Sequence, residues 1–239
     1  AEVASYLVPF MGSIYFGAML IAILLNFELV VPALKLIFVD AFNGTAVAGG
    51  TFIGVLIYGV RRGAFSNEAG MGTESLVHGV AKVSNPVKQG LVAMTGPIFD
   101  TLIICTATAL IILISGVWET SASQGVTLTS EAFNLLLGDV GGFILFACVI
   151  CFGLSTIFTY SYYGATCARF IFGNFGMNFY IYLYIIGIFI YSIVPIDIAI
   201  NIADGAFAMM AIPTLISALW LAPKVMQESR NYFKLIDNA

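Results

Sequence analysis

Residues 62–72 read Arg-Gly-Ala-Phe-Ser-Asn-Glu-Ala-Gly-Met-Gly, a polar, glycine-rich stretch between two apolar ones. The hydrocarbon interior of a bilayer offers no water to the N–H and C=O groups of an unwound backbone. Irregular backbone therefore persists there only inside protein or beside a cavity. Secondary transporters use broken helices of this kind to hold substrates and ions near the middle of the membrane. The stretch therefore favours a transporter.

The composition of the chain places it in a membrane. It is 60% hydrophobic and 9% charged, with a mean hydropathy of +1.01, whereas soluble domains carry about 25% charged residues. A helix that crosses a bilayer needs roughly 18–20 apolar residues. The apolar stretches of sufficient length predict about six transmembrane helices, at 7–27, 46–64, 98–116, 141–168, 177–196 and 205–223. We therefore expect an all-α integral membrane protein with one broken helix.

The distribution of Lys and Arg predicts which ends of the spans face the cytoplasm. With both chain ends inside, the inward segments are 62–97, 169–176 and 224–239. All of the nine Lys and Arg except Lys35 then lie in these segments or, for Arg61, at their edge. Inward-facing loops of membrane proteins carry such an excess of positive charge. No basic cluster suggests nucleic acid as a partner.

The polar stretch has the chemistry to bind a small zwitterion. The N-terminus of a half-helix favours a carboxylate through free N–H groups and a partial positive charge, and Ser66 and Asn67 are good N-cap residues. Phe65 offers an apolar wall, while Gly70 and Gly72 let the backbone approach a ligand closely. The alternative interpretation of the same residues is an ordinary cytoplasmic loop.

Two neighbouring arginines complicate this interpretation. Arg61 and Arg62 argue that the stretch lies at the cytoplasmic interface, whereas a substrate site argues for the middle of the membrane. If the arginines are interfacial, the unwound point moves to residues 49–52, Gly-Gly-Thr-Phe. A water-filled inner cavity would reconcile the two positions.

The predicted span 141–168 carries a second group of candidate residues. Ser155, Thr156 and Thr159 place three hydroxyls within about one helical turn, where they would supply oxygen ligands for Na⁺ or hydrogen bonds for a substrate. Such hydroxyls often merely bond to the carbonyl of the preceding turn, which is the alternative. Tyr160 follows Thr156 by one turn on the same face and would close the pocket above a small side chain.

Acidic residues near the spans have separate expectations. We expect Asp100 to pair with Lys88 or Arg62, since ionisable groups at membrane depth need a partner. Asp197 and Asp204 are expected at the outer interface, solvated by water. No Ser-His-Asp set, phosphate-binding loop or paired catalytic carboxylates accompany them, so the chain is not expected to be an enzyme.

Three segments between the predicted spans have helical character. Residues 30–42 would form an interfacial helix or a re-entrant half-helix. Residues 69–82 would form a mildly amphipathic helix that Asn85-Pro86 stops. The polar loop 117–139 carries an apolar patch at 133–137 that would dip back as a short helix.

Four blocks of sequence, in this order, resemble the alanine/glycine:cation symporters. The first is the stretch 62–72, which is highly specific. The others are Asn85-Pro-Val-Lys-Gln-Gly90, Phe99-Asp-Thr-Leu-Ile-Ile-Cys-Thr-Ala-Thr-Ala-Leu110, and Phe152-Gly-Leu-Ser-Thr156 followed by Tyr162-Tyr-Gly164. The likeness covers nearly the whole chain.

This resemblance implies a fold and an activity. The fold is the LeuT-type inverted repeat, of which residues 1–239 would be a single transmembrane domain fragment, the C-terminal portion, without the N-terminal half. Residues 7–27 would be the last helix of the first repeat, and the second repeat would start at about 46. The activity is symport of alanine or glycine with Na⁺ as coupling ion and no other cofactor, by alternating access in lipid. The place is a bacterial or archaeal cytoplasmic membrane, crossed several times.

The resemblance also implies site residues by position. Those for the amino acid are Phe65, Ser66, Asn67, Thr156 and Tyr160. Those for Na⁺ are the hydroxyls of Ser155 and Thr156 and the carbonyl of Phe152. Many members carry Trp at position 160 and Glu at 165, where this chain has Tyr160 and Ala165. The alternative function is a membrane sensor or assembly subunit that binds a small ligand without transporting it.

Overall fold

The computed structural model describes residues 2–42 and 51–237, and all regular structure in these ranges is helical. A π-helical segment, Ile98–Cys105, joins two of the helices without interruption. The α-helices are α1 Glu2–Leu25, α2 Phe27–Ala41, α3 Thr51–Asn67, α4 Thr73–His78, α5 Pro86–Pro97, α6 Thr106–Ser115, α7 Val117–Thr120, α8 Val126–Leu137, α9 Asp139–Tyr191 and α10 Ile196–Asp237.

Within the described ranges, four helices are long and apolar enough to cross a bilayer. They are Tyr6–Leu25, Pro86–Ser115, Asp139–Tyr191 and Ile196–Ile236. Their number is smaller than the predicted six for two reasons. The predicted spans 141–168 and 177–196 share the long helix α9, which bends at Gly173, where φ is 69° and ψ is −159°. The predicted span 46–64 lies partly outside the described residues, and the rest of it belongs to α3.

Three predictions about helix boundaries are wrong. Helix α10 begins at Ile196, so residues 197–204 form its first turns instead of an outer loop. The helix predicted over 69–82 is only α4, because Gly70 and Gly72 adopt positive φ before it and Gly79 ends it. Asn85 does not stop a helix but starts α5, since its side chain accepts a hydrogen bond from the N–H of Val87 at 2.8 Å.

The other predicted short helices are present and longer than expected. Helix α2 covers most of residues 30–42. The loop 117–139 contains α7 and α8, and Ala132 and Phe133 of α8 are fully buried. The apolar patch therefore packs on the protein through Phe133, whereas Leu135 is exposed.

The described chain forms two compact units, each of which is described by itself. The first unit comprises residues up to 55 and 102–181, and the second comprises 56–101 and 182–239. In the first unit, helices α1, α6 and α8 pack around Met19, Ile111 and Phe133, all fully buried. Because lipid tails are as apolar as these side chains, close packing rather than the hydrophobic effect holds such helices together in a membrane.

One aromatic residue ties three helices of the first unit together. The ring of Tyr15 on α1 stacks on Phe133 of α8 at a centroid distance of 5.7 Å. Its hydroxyl shares a 2.9 Å hydrogen bond with the hydroxyl of Thr108 on α6. Stacking and the hydrogen bond together fix the rotation of α1 against its neighbours.

Outside the candidate spans, Glu131 on α8 supplies a pH-dependent contact. Hydrogen bonds from the hydroxyls of Ser121 and Ser123, the latter 2.6 Å from Oε1, lower the pKa of Glu131 below its ordinary 4.5. A lowered folded-state pKa stabilises the fold at pH above 4.5, and this stabilisation is lost as the pH falls through the folded-state pKa. The melting temperature of Glu131→Gln should therefore lie below that of the wild type at neutral pH, with the gap closing on acidification. The exposed Glu119 provides a control, Glu119→Gln, and a gap independent of pH would contradict the prediction.

Candidate functional site

The polar stretch of the sequence contains a true break between two helices, but the break follows the predicted substrate residues instead of containing them. Helix α3 continues to Asn67, and the N–H of Glu68 still bonds to the carbonyl of Ala64 at 3.0 Å. The unwound residues are 68–72, where Glu68, Gly70 and Gly72 have φ of 55°, 79° and 89°. L side chains rarely adopt this left-handed region, which explains the two glycines.

The described part of residues 49–52, the alternative unwound point, is helical and not unwound. Thr51 and Phe52 are helical, as the first residues of α3, while Gly49 and Gly50 lie outside the described residues.

The prediction that Ser66 and Asn67 cap the N-terminus of a helix is wrong, because both belong to the last turn of α3. The side-chain carbonyl of Asn67 instead accepts a hydrogen bond from the N–H of Ala69 at 2.9 Å. Asn and Asp side chains make this bond to the backbone two residues on, and it turns the chain out of a helix. Asn67 is therefore the residue that ends α3.

The same two side chains bond to the π-helical segment in the second unit. The Ser66 hydroxyl donates to Asp100 Oδ2 at 2.6 Å, and Asn67 Nδ2 donates to Thr101 Oγ1 at 2.9 Å. The Thr101 hydroxyl donates in turn to Asp100 at 3.3 Å. The prediction that Asp100 pairs with Lys88 or Arg62 is thus wrong, since hydroxyl groups surround it. Single π-helical turns often occur at functional sites, because the extra residue redirects side chains.

A chain of contacts places α3 and the break along α10, also in the second unit. Arg62 pairs with Asp204 at 2.8 Å. The Phe65 ring meets Phe207 edge to face, with 5.0 Å between centroids.

The prediction that Asp204 lies at a solvated outer interface is wrong, because its side chain is 7% exposed and paired with Arg62. It lies eight residues into α10, about 12 Å from the start of the helix at 1.5 Å per residue. Asp204 also gives both arginines a carboxylate partner within the protein, which offsets one of their two positive charges. Asp204, Phe207 and Thr214 lie three and seven residues apart on one helical face, and this spacing is the sequence signal that could predict the surface.

Gly72 gives a prediction for the break. A Cβ at this residue would lie 2.9 Å from the Thr214 hydroxyl, at a φ of 89°. The left-handed backbone alone costs an L residue about 1–2 kcal/mol, so Gly72→Ala should lower the melting temperature and disturb the break. Gly90→Ala is the matched control, because Gly90 is inside α5 with no atom within 4 Å of its Cβ position. Equal melting temperatures for the two variants would contradict the prediction.

The second predicted group lies on α9 in the first unit. The Ser155 hydroxyl donates to the Phe152 carbonyl at 2.8 Å, and the Thr159 hydroxyl donates to the Ser155 carbonyl at 2.8 Å. These are the bonds to the preceding turn that the sequence left as the alternative. The structure shows no partner for the half-buried Thr156 hydroxyl among the described residues. Thr156 is thus the hydroxyl of this group whose proton and lone pairs are both available to a ligand, whereas Ser155 and Thr159 have only lone pairs available.

Tyr160 has an aromatic neighbour that explains the glycine of the Tyr-Tyr-Gly motif. The ring of Tyr180 occupies the space that a Cβ on Gly164 would fill. The Tyr180 hydroxyl points to the Tyr160 carbonyl at 3.5 Å. Gly164 therefore allows the two arms of α9 to approach each other on either side of the bend.

The predicted residues therefore fall into two groups. Phe65, Ser66 and Asn67 belong to the second unit, whereas Phe152, Ser155, Thr156 and Tyr160 belong to the first. Within the part of the chain that the structure describes, no three His, Cys, Asp or Glu side chains are grouped to hold a metal ion. The oxygen atoms available to a cation in either group are mainly hydroxyls and carbonyls.

The sequence profile of the sodium:alanine symporter family matches residues 1–238. The chain belongs to this family. It is 35% identical, over 98% of its length, to an uncharacterized transporter of Haemophilus influenzae. It is 34% identical over 97% to the sodium/alanine symporter AgcS of Methanococcus maripaludis, and 32% identical over 97% to the probable sodium/glutamine symporter GlnT of Bacillus subtilis.

The alignments with these symporters cover 52%, 52% and 49% of their own sequences. The chain thus spans about half the length of the curated relatives it matches. Membership of the sodium:alanine symporter family identifies cation-coupled amino-acid symport as the function of the group. It agrees with the long apolar helices of a multi-pass membrane protein.

Proposed function

We propose that the protein carries a small neutral amino acid, alanine or glycine, into the cell together with Na⁺. The helix break after Asn67 carries this proposal. The last turn of α3 presents Phe65, Ser66 and Asn67. Hydrogen bonds to Asp100 and Thr101 hold the Ser66 and Asn67 side chains in place. A rigid polar turn beside an unwound segment is the arrangement with which secondary transporters grip substrates.

The Na⁺ ligands in this proposal are oxygen atoms of α9. The Phe152 carbonyl and the Ser155 hydroxyl already lie 2.8 Å apart, close enough for one cation to contact both. The Ser155 hydroxyl donates its proton to that carbonyl, so its lone pairs remain available. The Thr156 hydroxyl completes the set.

Tyr160 supports a small substrate over a large one. It is half-buried, one turn from Thr156, and its backbone carbonyl is held near Tyr180. A large ring at this position leaves room only for a substrate with a short side chain. The names of the relatives include both alanine and glutamine symporters, so the size of the pocket is the property to test.

Transport by alternating access needs two repeats that rock against each other. In our proposal the residues described here are the second repeat of a LeuT-type fold and one helix of the first. A preceding half supplies the remaining helices. The protein resides in the cytoplasmic membrane of a bacterium or archaeon.

The test is uptake by the full-length protein in proteoliposomes, with radiolabelled L-alanine, glycine and L-glutamine. We expect an inward Na⁺ gradient to drive accumulation of alanine or glycine, and a K⁺ gradient or a pH gradient without Na⁺ to drive none. Accumulation of glutamine at equal rates would refute the small pocket. Saturable binding of alanine without accumulation would refute transport and favour a ligand-binding sensor.

A further inference from the structure

In the ion pair between α3 and α10, the carboxylate is shielded from solvent and the guanidinium groups are partly exposed. Arg62 Nη2 lies 2.8 Å from Asp204 Oδ2, and Arg61 Nη2 lies 3.2 Å from the same oxygen. The Asp204 side chain is 7% exposed, whereas those of Arg62 and Arg61 are 34% and 53% exposed. Arg62 is thus the inner partner and Arg61 the outer one.

Arg62 is also enclosed by aromatic rings. Its guanidinium carbon lies 5.1 Å from the centroid of Tyr58 and 5.8 Å from that of Phe65, both within the range of a cation–π contact. Its Nε–H is shielded from solvent and has no acceptor in the described ranges. Asp204 therefore provides the hydrogen-bond acceptor that holds this side chain in one orientation.

The contacts that α3 and the break make with α10 advance together along both segments. Arg62 meets Asp204, Phe65 meets Phe207, and Gly72 meets Thr214. The two segments therefore run parallel. A shift of α3 along α10 by one turn would separate the charges and the ring pair at once. The ion pair thus sets the register of the break on α10.

We propose that Arg62 and Asp204 are a positioning pair, which fixes the Phe65–Asn67 turn on α10 so that its side chains meet the substrate. This inference rests on the proposed function of that turn. An unpaired charge is costly at membrane depth, so the pair persists while the helices are assembled. Apolar packing alone defines the register of two helices less strictly, because it tolerates small slips.

A paired replacement separates positioning from stability. Arg62→Met combined with Asp204→Leu removes both charges of the inner pair and leaves only the more exposed Arg61 without its carboxylate partner. Such exchanges often retain the fold. We expect folded protein at wild-type levels, with KM for alanine raised about tenfold, because a small displacement of a binding turn strongly weakens substrate binding. Asp204→Asn alone should raise KM as much and also lower the yield. Asp204→Glu should have a KM close to the wild-type value.

Two residues provide controls in the same helices. Arg61→Gln removes the more exposed guanidinium, and Asp197→Asn removes an exposed carboxylate from the first turn of α10. Both should change KM by less than about twofold, as surface charges contribute little. An unchanged KM in the paired variant, with or without a lower yield, would show a role in stability alone and overturn the inference.

Amide hydrogen exchange provides a readout that does not depend on transport. In the full-length protein, exchange across residues 64–72 should be faster in the paired variant than in the wild type and unchanged in Asp197→Asn. Equal exchange in the paired variant and the wild type would overturn the inference. A wild-type protein without Na⁺-driven uptake would refute the proposed function instead, and the exchange comparison would still decide whether the pair positions the turn.

Discussion

Asn67→Ala is expected to abolish Na⁺-driven uptake, with a loss of at least about 100-fold, although the protein still folds. The Asn67 side chain ends α3 through Ala69 and reaches the π-helical segment through Thr101. Alanine keeps neither bond. Two lost hydrogen bonds of this kind cost about 1 kcal/mol each, which lowers stability but does not unfold a domain. The loss of uptake would come from the displaced turn and from the missing amide.

The control for this variant is Asn85→Ala. Asn85 also uses its side chain to bond a backbone N–H, at the start of α5, and its loss costs about 1 kcal/mol in stability. We expect uptake near the wild-type rate, measured per folded molecule in proteoliposomes. Substantial uptake by Asn67→Ala under the same conditions would remove Asn67 from the site.

Thr156→Val is expected to abolish the response to Na⁺. Valine shares the β-branched shape of threonine but lacks the hydroxyl, so the exchange removes one proposed oxygen ligand of Na⁺ from α9. The Thr156 hydroxyl has no partner among the described residues, unlike its neighbours Ser155 and Thr159. Uptake measured against increasing Na⁺ should stay at the background of Na⁺-free medium.

Thr159→Val is the matched control on the same helix. The Thr159 hydroxyl donates to the Ser155 carbonyl at 2.8 Å and is not among the proposed Na⁺ ligands, which are on the preceding turn. We expect this variant to keep Na⁺-dependent uptake within about twofold of the wild type, since such bonds contribute little to a helix. If both valine variants retained the response, the cation site would not lie on this turn of α9.

The sequence allowed the helical class, most spans and the existence of the break to be predicted, because these depend on local composition. Charge-free stretches of 20 residues form helices wherever they occur in a bilayer. Gly70 and Gly72 are the sequence signal for the unwound residues, since only a few residue types adopt positive φ readily, but the helix predicted over 69–82 did not use it. The position of the break relative to Asn67 could not be predicted, because the helix ends through a side-chain bond to its own backbone.

The partners of the charged residues were the least predictable part. Asp204 was expected in water and Asp100 beside a cation, on the basis of their distance from the ends of predicted spans. The structure reverses both expectations, since Asp204 pairs with Arg62 and Asp100 accepts bonds from hydroxyls. Contacts between residues 142 positions apart depend on how helices assemble, which local hydropathy does not encode.

Helix α3 meets the break with its carboxyl-terminal end, and under the proposed function this direction would determine which end of the amino acid the turn attracts. The last carbonyls of a helix lack partners within it and carry about half a negative charge. Beside Phe65–Asn67, a zwitterion would therefore be held by its ammonium group, and its carboxylate would bind other parts of the protein. Removing the amino group from the substrate should then cost the affinity contributed by this turn, so propionate would compete poorly with alanine.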